Sequence, residues 1–164
     1  MIKNVETSCL LIGFGNTLRG DDGAGPRLAE KVAAWDLPQV RVLIRHALVP
    51  ELAEDLRKTK RVLFVDACPK VERFEVLALN AASKPASHSA NWGHFSDPEE
   101  LLALAQVLHG LVPQAWLLLL PAVNFAMGEE LSSTALAGIE AALIWIKNDW
   151  LAVTRSCPES EIRR

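Results

Sequence analysis

The sequence predicts an α/β domain, a three-layer α/β/α sandwich on a mixed five-stranded sheet. Five apolar runs, at residues 9–14, 40–48, 61–67, 74–80 and 116–123, alternate with stretches of helical periodicity. Most of these runs are apolar throughout instead of at every second residue, the pattern of strands covered on both faces. Residues 68–73 leave too little chain between the third and fourth runs for a parallel crossover, which needs roughly a dozen residues, so the fourth strand is expected to run antiparallel to the rest.

The helices are read from their ends and faces. The first is expected over residues 25–35, with Pro26 in its first turn and Leu28, Val32 and Trp35 on one side. A short second helix is expected over 50–56, with Glu51 in its first turn. Ser96-Asp97-Pro98-Glu99-Glu100 supplies an N-cap, a proline at the first helical position and carboxylates near the positive end of the dipole, and that helix should end near His109-Gly110. The last follows Ser132-Ser133, with Leu136, Ile139, Leu143, Ile146, Trp150 and Val153 as its core stripe.

With 164 residues, half of them hydrophobic and 23% charged, the chain should form one domain over 1–154, followed by a polar tail over 155–164. A net charge of −3 and the lack of a Lys/Arg cluster argue against nucleic acid as a partner. No apolar stretch approaches the ~20 residues that cross a bilayer, and the N-terminal residues lack a secretory layout, so a cytoplasmic protein with no membrane partner is expected. Cys9, Cys68 and Cys157 are far apart and form no Cys-x-x-Cys spacing, which indicates neither a disulfide framework nor a zinc knuckle.

In open α/β sheets, ligands bind outside the carboxyl ends of the parallel strands. The first strand leaves there through Gly13-Phe14-Gly15-Asn16-Thr17-Leu18-Arg19-Gly20 into Asp21-Asp22-Gly23-Ala24-Gly25. Leucine at position 18 removes the third glycine of a dinucleotide fingerprint, the acid pair would repel a pyrophosphate, and no Gly-Lys-Ser/Thr supports a P-loop. Paired carboxylates suit a cation, while a helix cap at Asp21 or Asp22 explains the motif about equally well. Asp66 ends the third apolar run and should reach the same edge. The long loop over 81–96 can return the chain to that edge with a histidine, His94 being better placed than His88.

Two carboxylates and one imidazole, Asp22, Asp66 and His94, would form a facial set of three ligands with open positions, suited to nickel or zinc. A neutral imidazole is needed for ligation, so affinity should fall as His94 protonates. His46 reads as a strand-end residue, Cys68 as packing although it could supply a thiolate, and His109 as a cation at a helix C-terminus.

Residues 11–25, read with Pro50-Glu51-Leu52, Val65-Asp66-Ala67, the histidine loop running into Pro98-Glu99-Glu100-Leu101-Leu102, and residues 116–132, closely resemble the hydrogenase maturation endopeptidases. Those enzymes trim the C-terminal extension from the large subunit of nickel-iron hydrogenases. The resemblance implies a cytoplasmic protease with strand order 2-1-3-5-4 and the fourth strand antiparallel. It places catalytic and metal-binding roles on Asp22, Asp66 and His94. It also implies that the nickel arrives with the substrate, a metal-loaded large-subunit precursor cut after its last metal-binding motif. Where the family commonly has Pro-Gly and Gly-Glu-Gly-Leu-Ser, this chain has Pro121-Ala122 and Gly128-Glu129-Glu130-Leu131-Ser132, departures that bear on substrate choice more than on the triad.

Hydrolysis through a metal-polarised carbonyl or water needs no protein nucleophile, and no Gly-x-Ser-x-Gly or Cys–His arrangement is present. The rivals are a metallohydrolase holding zinc permanently on the same triad and a nickel-escort protein that binds the precursor without cutting it. A receiver-like signalling module lacks its expected Lys-Pro at Leu120-Pro121.

Overall fold

In the computed structural model, which describes residues 9–81 and 97–152, the first apolar run forms β1 (Cys9–Phe14), buried at every residue. Its side chains alternate between two cores. Cys9 and Leu11 enter one, and Leu10, Ile12 and Phe14 the other. The run is apolar throughout because each face has its own helical layer to bury against.

After a 3-10 turn at Gly20–Gly23 the chain forms α1 (Ala24–Ala33), β2 (Val40–Arg45), α2 (Leu52–Arg57), β3 (Arg61–Cys68), β4 (Glu75–Leu79), α3 (Pro98–His109), β5 (Gln114–Pro121) and α4 (Ser133–Trp145), which runs on through a π-helical turn at Ile146–Trp150. The sheet order is β2-β1-β3-β5-β4. Strands β1, β2, β3 and β5 are parallel and β4 is antiparallel to β5, as the short connection before it requires. The core on one face of the sheet takes residues from α1 and α4, and the core on the other takes residues from α2 and α3. This is the expected three-layer sandwich.

Three details differ from the sequence reading. The edge strand β2 stops at Arg45 instead of residue 48, and Leu48 instead packs into the core shared with α2. Cys68 belongs to β3, where it pairs with Pro121. Of the foreseen stripe, Ile139, Ile146 and Trp150 are buried and Leu143 packs against the same core, but Leu136 lies outside it and small residues complete the inner face of α4. Ala135, Gly138, Ile139 and Ala142 are buried, whereas Leu136 is 48% exposed. The cause is close packing, since a Cβ on Gly138 would lie 2.5 Å from the Pro121 ring. Val153 lies outside the described residues.

The caps of α3 follow the sequence. The Asp97 side chain accepts the Glu99 N–H at 2.9 Å, Pro98 opens the helix and Gly110 closes it. The N-terminal turn of α1 rests directly on the sheet, and a Cβ at Gly25 would meet the Val65 carbonyl oxygen at 2.5 Å. Among the described residues no helix is long and apolar enough to cross a membrane.

The loop after β1 is fastened to the loop after β5. Gly20 N donates to Gly128 O at 2.7 Å, Gly128 N to Leu18 O at 2.9 Å and Asp21 N to Asn124 O at 2.8 Å. The Asp21 carboxylate completes the join. It is fully buried and accepts from Val123 N (2.8 Å), Asn124 N (3.0 Å), Ser132 N (2.7 Å) and the Ser132 hydroxyl (2.7 Å). The same hydroxyl oxygen accepts Ala135 N at 3.1 Å and so caps α4. Burial pushes the Asp21 carboxyl up, but the hydrogen bonds from Ser132, Val123 and Asn124 outweigh it and hold the pKa below the ordinary 3.8.

Asp21→Asn places an NH2 among these donors and should cost about 2–4 kcal/mol. A lower urea midpoint with an unchanged m-value would show it; an unchanged midpoint contradicts the latch. Because the folded pKa lies below the unfolded one, the stability that Asp21 supplies is present above pH 4 and is lost as pH falls through the folded value. The gap between wild type and variant should therefore shrink on acidification.

Candidate active site

The parallel strands β1 and β3 bring two carboxylates to one edge of the sheet. Beyond Phe14, Gly15 N donates to Arg45 O at 3.1 Å, which closes the β1–β2 edge. Asn16 then folds the loop back on itself, its side-chain oxygen accepting Leu18 N at 2.9 Å. Its own N–H donates to Asp22 Oδ2 at 2.9 Å. This bond ties Asp22 to the start of its own loop, whereas Asp21 beside it is bonded to the segment after β5.

Asp66 stands on β3, one residue beyond Val65, which pairs with Gly13 of β1. The 3-10 turn that carries Asp22 packs against this strand. Asp66 Oδ1 accepts the following N–H, of Ala67, at 2.8 Å. The Asp66 pKa is raised to about 6, first because burial disfavours the charge and then because Asp22 adds a second negative charge nearby, with the Ala67 hydrogen bond opposing both. Two acids that approach each other in a partly desolvated setting are costly for stability and are characteristic of sites that take up a proton or a cation.

Among the described residues each of these carboxylates receives one hydrogen bond on one oxygen, leaving the other oxygen open. That donor set, hard and anionic, fits a divalent cation needing further ligands. Among the same residues no group of three or more His, Cys, Asp or Glu side chains is gathered to hold a metal. A third ligand would come from the substrate or from the segment bearing His88 and His94, and both histidines lie outside the described residues.

The other residues singled out from the sequence have simpler places. Asp21 caps no helix, since Gly23 is the N-cap residue of α1 and makes no side-chain cap bond. His46 is exposed in the bend after β2. Cys68 ends β3, partly buried. His109 closes α3 with Nε2 3.6 Å from Glu54 Oε2 on α2, so the histidine at the helix end lies beside a carboxylate. Asn16 and Ser132, which orient Asp22 and Asp21 respectively, were not foreseen. The only signals were an Asn two residues after a glycine-rich strand end and a Ser at a helix start.

No protein-family model matches the chain, and no curated protein matches it. Solved structures do. A hydrogenase 2 maturation peptidase from a Thaumarchaeota archaeon is 23% identical at TM-score 0.63, with 90% of this chain and 98% of that one covered. The NiFe hydrogenase maturation protease HybD from Thermococcus kodakarensis is 21% identical at TM-score 0.67, over 85% and 97% of the two chains. The hydrogenase maturating endopeptidase HybD from E. coli is 22% identical at TM-score 0.66, over 90% and 92%. The chain has the fold of these maturation proteases over nearly its whole length.

Proposed function

We propose that this protein is an endopeptidase of hydrogenase maturation, which removes the C-terminal extension from a nickel-loaded large-subunit precursor. The observation that carries the reading is the pairing of Asp22 and Asp66 at the carboxyl edge of the sheet, with the Asp66 pKa raised to about 6 and one oxygen of each acid open. The fold shared with proteins described as maturation proteases supports it. In this reading the nickel is cargo of the substrate, and Asp22, Asp66 and His94 complete its ligand set while the scissile peptide is held beside it. Holding the peptide against a bound cation supplies the orientation and charge stabilisation that a neutral-pH hydrolysis needs. In this reading the protein works in the cytoplasm.

Incubating the purified chain with metal-loaded precursor and weighing the products tests the reading directly. Loss of a C-terminal fragment is the expected result. An intact precursor that stays bound would instead mark the chain as an escort, and zinc retained through purification would favour a resident-metal hydrolase.

Asp22→Asn, Asp66→Asn and His94→Ala should each abolish processing with an unchanged far-ultraviolet circular dichroism spectrum. A His94→Ala chain that matures the precursor at the wild-type rate removes that residue from the site.

Ligation needs the Asp66 carboxylate, so kcat/KM should decline as pH falls through about 6, the value of the free enzyme. A flat profile between pH 5 and 8 would contradict the assignment.

Stability should move the other way. The folded pKa of Asp66 lies above the unfolded one, so the folded chain binds the extra proton between about pH 4 and 6 and loses stability as pH rises through that window. Asp66→Asn removes the charge and should raise stability at pH 8 by up to about 3 kcal/mol while abolishing activity, as judged by urea denaturation.

A further inference from the structure

A groove of about 490 Å³ lies between α1, the loop before α4 and α4 itself. Its floor is apolar, formed by Leu131, Leu136 and Ile139, and Leu136 is nearly half exposed although it sits on a helix that buries smaller residues. Arg27 and Lys31 of α1 make one wall, and Glu129 and Glu130 make the other.

The two walls do not satisfy each other. Arg27 pairs with Glu30 along α1 at 3.6 Å, and Lys31 reaches across to Glu140 on α4 at 3.2 Å. Among the described residues Glu129 and Glu130 make no ion pair, so an apolar floor is bordered by two carboxylates without a bonded cation.

The groove borders the segment that Asp21 fastens to the loop carrying Asp22. Glu130 stands two residues before Ser132, which donates to Asp21, and Glu129 follows Gly128, which is fastened to Leu18 and Gly20. We infer that this groove is a docking subsite for the precursor, taking an extended segment in which an apolar side chain fills the floor and an adjacent Lys or Arg faces Glu129 and Glu130. The inference rests on the protease reading and gives Glu130, which departs from the glycine of the resembling family, a part in substrate choice. Charge complementarity at such a rim acts mainly on encounter and discrimination, leaving the chemical step untouched.

The test uses the full-length chain and the metal-loaded precursor, with binding measured by biolayer interferometry and processing by mass spectrometry, each at 50 mM and about 300 mM salt. The double substitution Glu129→Gln with Glu130→Gln lies on exposed side chains and should weaken binding and raise KM by about three- to tenfold at low salt, with kcat within about twofold. The difference should shrink at high salt. Leu136→Ser should raise KM without changing the salt dependence, and Glu75→Gln on the far edge strand serves as the control. Binding and KM that are unchanged in the double variant overturn the groove and leave the protease reading standing. Precursor that binds wild type without being cut removes the protease reading, and the binding ratio still decides the groove. No binding by wild type overturns both. A change in the sedimentation of the double variant alone would mark the groove as an interface between copies of this chain, which also overturns the proposal.

Discussion

A buried carboxylate, Asp21, together with three backbone hydrogen bonds joins the two loops at the carboxyl edge of this sheet. The loops after β1 and β5 come from strands that are not neighbours, since β3 lies between them. Nothing in the ladder of the sheet therefore fixes one loop against the other. Asp21 does so by spending its oxygens on three backbone N–H groups and one hydroxyl of the β5–α4 segment. In water those donors would be satisfied anyway. Their value comes from burial, where an unmade bond is expensive and a charged acceptor strengthens each one. The hydroxyl of Ser132 extends the effect by capping α4, so one side chain links two loops and a helix.

Seen in this way, the adjacent acids divide the physics of a carboxylate between them. Asp21 is buried with all its hydrogen bonds made, and its charge is favoured despite the burial. Asp66 is partly buried with a single hydrogen bond and a second acid nearby, and its charge is disfavoured. Asp22 lies beside the first in sequence and beside the second in space. Its hydrogen bond comes from Asn16 in its own loop, while those of Asp21 come from the β5–α4 segment, so neighbouring residues of the same type occupy different settings. Such a pair of open acids persists only because the rest of the fold overdetermines the positions of the loop and the strand.

The layers were legible in the sequence because β1, β3 and β5 bury both faces, and an apolar run with no alternation admits few other readings. The antiparallel β4 was legible from the length of one connection, which is a steric limit and holds in any context. The α4 stripe was read through its larger residues, and Ile139, Ile146 and Trp150 are buried as read, but Leu136 is not. Hydrophobic periodicity ranks side chains by size, whereas a helix that must approach Pro121 closely selects Gly138 and its alanine neighbours. Which member of the Asp21–Asp22 pair would be bonded to the segment after β5 was not legible either. Adjacent positions of like chemistry differ only in their partners, and the partners of Asp21 lie more than a hundred residues away in the chain. Placing Asp66 at the same edge as Asp22 needed only the parallel order of β1 and β3, while His94 belongs to a segment outside the described residues and rests on the length of the 81–96 loop and on resemblance.

The β5–α4 segment shows how the edge can stay fixed while its exterior varies. Its anchoring contacts are made mostly by the backbone, at residues 123, 124, 128 and 132, and depend little on the side chains between them. Residues 126–130 are exposed. A glutamate at 130 therefore alters the charge presented beside the candidate site without entering the latch, and exposed changes of this kind usually shift stability by no more than about 0.5 kcal/mol. The residues that hold the loop and those that face outward are different residues.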